Sequence, residues 1–470
     1  MIHSDICVIG AGSAGLSVAS GAAQLGLNVV LIEKDKMGGD CLNTGCVPSK
    51  SLLTAAKAAK SMQKADAFGI RTESNNSITD YNAVKNHIRT VIDRIAPHDS
   101  QERFEGLGVQ VIRNSATFID SKTLKAGDKF IRARHFVIAT GSSALIPPIK
   151  GLEAIRYHTN ESIFTLEALP EHLLIIGGGP IGIEMAQAHK RLGANVSLFD
   201  KGFILPKDDP EAVAILREAL LNDGIMLYEN TAIDSLTTEG ESIRLNHSTG
   251  HAIGSHLLVA AGRKANVKGL GLDAANIAYD THGIKTDEGL RSLSNRRIWA
   301  LGDVAAGPQF THVASYHASL FIRRALFRLP AKQDYSALPW VTYTDPELAQ
   351  VGITEPMAQT KGLPYRSKTW RFADNNRALA ERNTKGFVKI LYDKHNRVLG
   401  ATIIGPGAGE LIQTWGLAIQ NKIPLQKIAS MIAPYPSFSE INKQVAGSAF
   451  TSKLFSKRTQ NLVRFLSRLP

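Results

Sequence analysis

The sequence predicts an α/β chain of two glycine-turn βαβ units followed by a smaller α+β domain. Three observations carry this. An apolar run, a glycine-rich turn and a helical stretch occur in that order twice, 167 residues apart. In each copy the next apolar run ends at an acidic residue 23 positions after the first glycine. Beyond about residue 338 the pattern changes to alternating apolar segments, such as 386–392 and 398–404, which read as antiparallel strands with flanking helices.

The first unit opens with the run 6–9 and the turn Gly10-Ala11-Gly12-Ser13-Ala14-Gly15. An Ala-rich helical stretch to Leu25 follows, then the run 29–32 and Glu33. The second unit repeats this with 173–176, Gly177-Gly178-Gly179-Pro180-Ile181-Gly182, a helix to Leu192, the run 196–199 and Asp200. In such a unit the first glycine makes the turn and the second lets backbone approach a pyrophosphate. The third lets helix pack on strand. The helix N-terminus faces the phosphates, and the carboxylate can bind a ribose diol. These are Rossmann-like dinucleotide-binding domains. Two such sites imply one tightly held cofactor and one exchangeable one, and FAD with NAD(P)H is the natural pair.

Further strand ends fit the same architecture. Residues 136–139 run into Thr140-Gly141, 257–259 into Ala260-Ala261-Gly262-Arg263, and 298–301 into Gly302-Asp303. The expected boundaries are 1–150 with 270–335 for the FAD part, 151–269 for the NAD(P) part and 336–450 for the third domain. Residues 451–470 form a basic amphipathic tail.

Composition limits the function classes. At 470 residues the chain exceeds the ~250–300 at which single cores stop growing. With 44% hydrophobic and 20% charged residues it is ordinary for a globular protein. The net charge of +12 suits acidic partners such as nucleotides. No aromatic-basic interleaving or helix-turn-helix pattern accompanies it, so nucleic acid is not an expected partner. Three cysteines make no disulfide framework, no apolar run nears the ~18–20 residues of a membrane span, and the N-terminus reads as a strand. A cytoplasmic location and no resident metal are therefore expected. Cys7, within an apolar run, reads as a buried small hydrophobe.

Cys41 and Cys46 stand five residues apart in a Gly-rich segment just before or at the start of a helix over residues 49–62. There the positive helix end favours a reactive thiolate. Lys50 lies one turn after Cys46 on the same face and can stabilise negative charge, a surface lysine being the alternative.

The run Gly38-Gly39-Asp40-Cys41-Leu42-Asn43-Thr44-Gly45-Cys46-Val47-Pro48-Ser49-Lys50 resembles the redox-disulfide motif of the pyridine nucleotide-disulfide oxidoreductases. The likeness extends over nearly the whole chain, through both glycine turns to residues 405–410. It implies that Cys46 stacks against the flavin and that Cys41 is the interchange thiol. It pairs Lys50 with Glu184, and places Asp303 beside the FAD ribityl chain and Glu33 on the adenosine ribose. It also makes the third domain a dimerisation domain and the protein a homodimer. At the second site Asp200 would repel a 2′-phosphate, so NADH is favoured over NADPH.

One motif departs from the pattern. Dihydrolipoamide dehydrogenases carry a His-Pro pair, with a Glu five positions after the His, that acts across the subunit boundary. Here Tyr435 stands in place of the His, while Pro436 and Glu440 are present. A phenol near ~10 is a poorer base at neutral pH than an imidazole near ~6.5. Tyr435 can still donate a hydrogen bond to the interchange thiolate; packing alone is the alternative. Mercuric reductases resemble the chain in having Tyr there, but their C-terminal cysteine pair has no counterpart after Cys46.

The expected activity is FAD-dependent electron relay from NAD(P)H through Cys41 and Cys46 to or from a small disulfide or dithiol. The alternatives are a metal-ion or quinone reductase and a flavin redox sensor. Residues 60–115 and 343–347 are expected to shape the approach of a small-molecule acceptor. Residues 451–470 hold five basic residues and no acidic one, with a helical apolar face. Packing of that face against its own domain is the first expectation, and weak contact with an anionic membrane surface the alternative.

Overall fold

The computed structural model describes residues 1–70 and 79–469. The expected shaping segment 60–115 thus falls partly outside the described residues. Two compact units emerge: residues 1–199 with 231–333, and residues 200–230 with 334–470.

In the first unit, strand β1 (Ile2–Ile9) lies between β2 (Val29–Glu33) and the strand Lys129–Ile138, parallel to both. Further strands extend the sheet to seven, among them Ile298–Ala300 paired with Lys129–Ile138. β2 is buried from end to end, which its unbroken Val-Val-Leu-Ile run dictates for a sheet covered on both faces. Helix α1 (Ser13–Gln24) buries Ala14, Gly15, Val18, Ala19 and Ala22, small residues that let it lie close to the sheet. Cys7 is fully buried in this core, as its apolar neighbours predict, and burial pushes its thiol pKa up. A second parallel group joins His172–Ile176 to Asn195–Phe199 and His256–Val259. The helix Pro180–Leu192 follows the first of these strands.

Two buried histidines make this unit sensitive to acid. Burial lowers the pKa of His189 and of His317 to about 4, and His317 Nδ1 accepts the Gly302 N–H at 3.0 Å, bracing the turn before Asp303. The unfolded chain protonates both near ~6.5, so between that pH and about 4 it binds more protons than the fold does. Stability therefore falls as pH falls through this window. The urea midpoint is expected to be lower at pH ~5 than at pH ~7, with a smaller drop in His317→Gln. An equal drop in that variant would show that His317 does not contribute.

The second unit is built on a five-stranded antiparallel sheet. Its order is Pro339–Thr342, Glu347–Gly352, Val398–Gly405, Phe387–Tyr392, Arg366–Arg371. The two central strands are the segments whose alternation marked a third domain. Trp415 Nε1 donates to Asn442 Oδ1 at 2.8 Å, tying the helix Glu440–Ser448 to the helix Gln413–Gln420 beneath it.

The tail departs from expectation. Residues 451–469 form two short helices, Thr451–Leu454 and Lys457–Leu466, and neither buries a single residue. Its apolar face does not pack on its own domain. Among the described residues, no helix is long and apolar enough to cross a membrane.

Candidate active site

Each glycine turn is set by backbone approach. Gly10 has φ +104, and a Cβ there would sit 2.5 Å from the Ala139 carbonyl oxygen. Gly177 repeats this at φ +116 and 2.4 Å from the Ala260 oxygen. A Cβ at Gly15 or Gly182 would stand 1.9 Å from the carbonyl oxygen of Gly10 or Gly177, so helix and turn touch only without side chains. The middle glycines differ. A Cβ at Gly12 would meet nothing nearer than Gly39 Cα at 4.0 Å, and one at Gly179 nothing within 4 Å. No side chain caps the N-terminus of either helix. That arrangement fits a bound pyrophosphate at each turn. Glu33 ends β2 with its carboxylate accepting the Ala11 N–H at 2.6 Å. Asp200 begins the second unit and accepts the Gly202 N–H at 2.8 Å.

The cysteine segment holds one short helix more than the expected one, which itself starts three residues earlier. Helix α2 (Gly39–Asn43) carries Cys41, and helix α3 (Cys46–Gln63) starts at Cys46 itself. Gly38 at φ +87 and Gly39 at φ +61 make the turn, and a Cβ on Gly39 would press to 2.7 Å from Gly12 Cα. The two glycines thus bring the cysteine segment onto the first glycine turn.

Both thiols are free, Cys46 solvent-accessible and Cys41 half-buried. The Cys46 pKa is lowered to about 6, first by the hydrogen bond from Cys41, then by one from Thr311, then by the Lys50 charge. Partial burial and the Asp40 carboxylate oppose the shift. Cys41 moves the other way, raised because its proton is shared toward Cys46 and because it is partly buried. These shifts favour ionisation at Cys46 and protonation at Cys41. Lys50 Nζ lies 2.8 Å from Glu184 Oε2, and the Glu184 side chain is only 4% exposed, so the cation is fixed one turn below Cys46.

Sequence reasoning missed two supports. Thr311, the first residue of helix Thr311–Phe321, places its Oγ1 3.3 Å from Cys46 Sγ. Asp40 braces the segment between the cysteines. Its Oδ1 accepts from Thr44 Oγ1 at 2.6 Å and Asn160 Nδ2 at 2.8 Å, and its Oδ2 from Arg263 at 2.6 Å. Arg263 also donates to Ser142 Oγ at 2.7 Å, and Ser142 donates to Asp303 Oδ2 at 2.5 Å. Burial raises the Asp303 pKa. Asn266 joins the Thr140-Gly141 strand end through Thr140 Oγ1 at 2.8 Å and the Gly141 carbonyl at 3.0 Å. Gly262, at φ +123, turns the chain just before Arg263. No local spacing signals Thr311, or the reach of Asp40 to Asn160 and Arg263, since these partners lie 120 to 265 residues away.

Thr311 yields a direct expectation. Thr311→Val removes a donor to the Cys46 thiolate and raises the pH at which the reduced holoenzyme's long-wavelength thiolate absorbance titrates away from about 6, whereas Thr311→Ser preserves it. An unshifted titration in the valine variant would remove Thr311 from the site.

Comparison with known proteins places these features. The family profile described as pyridine nucleotide-disulphide oxidoreductase matches residues 4–318, and its dimerisation domain matches 338–446. The chain belongs to this family. It is an oxidoreductase of flavoprotein type; the family is FAD-dependent, draws on a pyridine nucleotide and forms homodimers through the second domain. A mercuric reductase of Streptomyces lividans is 34% identical over 461 residues, 95% of this chain and 96% of that protein. A dihydrolipoyl dehydrogenase of Geobacillus stearothermophilus is 32% identical over 95% of this chain and 96% of its own length. Among solved structures, the Cu(II) complex of the HOCl-induced flavoprotein disulfide reductase RclA from Escherichia coli superposes with TM-score 0.86 at 25% identity, over 94% of this chain and 99% of that one. LpdA from Mycobacterium tuberculosis gives 0.87 at 26%, over 96% and 100%.

Tyr435 and Glu440 belong to the second unit. Tyr435 is 69% exposed, and its Oη accepts from Asn376 Nδ2 at 2.9 Å. Glu440 opens the helix Glu440–Ser448.

Proposed function

We propose that this flavoprotein catalyses NADH-dependent reduction of a small disulfide through Cys41 and Cys46, with the balance NADH + H⁺ + RSSR → NAD⁺ + 2 RSH. The observation that carries the reading is the setting of the pair: Cys46 opens helix α3 with Thr311 Oγ1 3.3 Å from its sulfur, and Lys50, held 2.8 Å from Glu184, follows one turn on. FAD, when bound, supplies two-electron exchange between the nicotinamide and the cysteine pair. In our reading residues 1–150 with 270–335 hold it, through Gly10, Gly12, Gly15, Glu33, Thr140, Gly141 and Asp303. Residues 151–269 bind NADH through Gly177, Gly179, Gly182 and Gly262, and residues 336–450 form the dimer. Asp200, at the end of that unit's second strand, favours a free ribose diol over a 2′-phosphate.

On the acceptor side, Cys41 gives up its proton and attacks one sulfur of RSSR. The first RS⁻ leaves, and a mixed disulfide remains on Cys41. Cys46 then attacks Cys41 Sγ, closes the Cys41–Cys46 disulfide and expels the second RS⁻. Lys50, held by Glu184, keeps Cys46 ionised for that second attack. The first RS⁻ to leave takes the Cys41 proton and departs as RSH, and Tyr435 of the partner subunit is the candidate hydrogen-bond donor to the sulfur that carries the charge.

Tyr435 in the place of His favours a second reading, reduction of a thiol-coordinated metal ion, since such a substrate needs no proton taken from an incoming dithiol. The mercuric reductase relatives point the same way. The deciding experiment is steady-state NADH oxidation by the FAD-loaded dimer with lipoamide and, separately, with Hg(II) or Cu(II). Brisk lipoamide reduction carries the first reading. Turnover confined to the metal ions replaces it with the second, and turnover with neither sinks both.

A further inference from the structure

The tail concentrates apolar surface that the fold leaves uncovered. Leu454, Phe455, Leu462, Val463, Phe465, Leu466 and Leu469 are all exposed, Phe465 at 63% and Leu462 at 55%. Singly such residues need no explanation, but seven within one short segment do. Leu462, Phe465, Leu466 and Leu469 follow the i, i+3, i+4, i+7 spacing of one helical face. On the helix Lys457–Leu466, Lys457 and Arg464 fall on the opposite face, Arg458 lies within the apolar stripe, where its long side chain can carry the charge out to water, and Arg468 follows the helix end. All five basic residues of the segment are exposed, and no acidic residue offsets them.

We propose that the helix Lys457–Leu466 and its flanks form a docking surface for an anionic lipid bilayer, lying in the interface with the apolar face down. Charge selects this occupant. An anionic leaflet meets five cations with the opposite sign while accepting the apolar side chains among its acyl chains. The inference is independent of which acceptor the enzyme reduces.

The test uses the full-length, FAD-loaded dimer with vesicles of phosphatidylcholine alone or with about 30% phosphatidylglycerol. Co-sedimentation should occur with the anionic vesicles only and weaken in about 0.5 M salt. Leu462→Asp with Phe465→Asp should lower the affinity by about tenfold or more. Arg464→Gln with Arg468→Gln, which leaves the apolar face intact, should lower it by roughly fivefold per charge. Both variants should keep full NADH oxidation with ferricyanide and the wild-type dimer mass. Equal binding to neutral vesicles, or binding unchanged in both variants, overturns the proposal. Dissociation of the Leu462→Asp/Phe465→Asp protein into monomers overturns it too, because the face would then be covered by the second subunit.

Discussion

Replacing either active-site cysteine by serine should cut NADH-driven disulfide reduction by about 10³-fold or more, because a serine hydroxyl cannot form the disulfide on which the relay depends. The two variants should nonetheless look different. In Cys41→Ser the serine hydroxyl still donates to Cys46, Thr311 and Lys50 remain in place, and a lone thiolate persists above about pH 6. Its long-wavelength absorbance should be present before any NADH is added. In Cys46→Ser the residue that Thr311 and Lys50 stabilise is gone, the remaining Cys41 is the thiol whose pKa is raised, and that absorbance should be missing at neutral pH. NADH oxidation with ferricyanide, which bypasses the pair, should survive in both. Loss of the absorbance in Cys41→Ser with retention in Cys46→Ser would reverse the assignment of the two thiols.

The largest stability effect is expected far from the cysteines, at Asp209. This carboxylate is fully buried, and its Oδ1 caps the helix Pro210–Asn222 by accepting the Glu211 and Ala212 N–H groups at 3.0 and 3.3 Å. Its Oδ2 takes the buried Lys389 ammonium at 2.9 Å. Asp209→Ala removes the cap and strands a buried cation, whose remaining partners are Glu211 at 3.0 Å and Glu355 at 3.4 Å. Breaking one side of a buried pair costs about 3–5 kcal/mol, and the two other carboxylates put the expected loss near the lower end. Asp209→Asn keeps an acceptor for the cap but not the charge, and should fall between wild type and alanine in urea unfolding. A wild-type midpoint for Asp209→Asn would show that the ion pair contributes nothing.

The legible parts of this protein were those whose physics is local. Gly10, Gly12 and Gly15 could be read because a tight turn, a close approach and a helix contact each demand a missing side chain at fixed spacing. β2 and the strand Phe387–Tyr392 could be read because burial imposes an apolar pattern over a few residues. The short helix under Cys41 was not legible: Gly38 and Gly39 signal a loop until Gly39 is seen against Gly12. The tail misled in another way. Its amphipathic period specifies a helix with an apolar face, but period alone does not say what covers that face.

By itself the sequence determined the α/β class and marked the two glycine turns and the cysteine pair, because each is written within some twenty residues of chain. The tertiary structure alone decided how that pair is tuned. Thr311 reaches Cys46 across 265 positions, Arg263 reaches Asp40 across 223, and Glu184 meets Lys50 across 134. The Lys50–Glu184 contact was anticipated only through family resemblance, and nothing in the chain's own pattern marks any of the three. Hydrogen bonds and Coulomb attraction act over a few ångströms, so which polar groups come that close depends on how the strands and helices pack, and a pattern along the chain does not carry that distance.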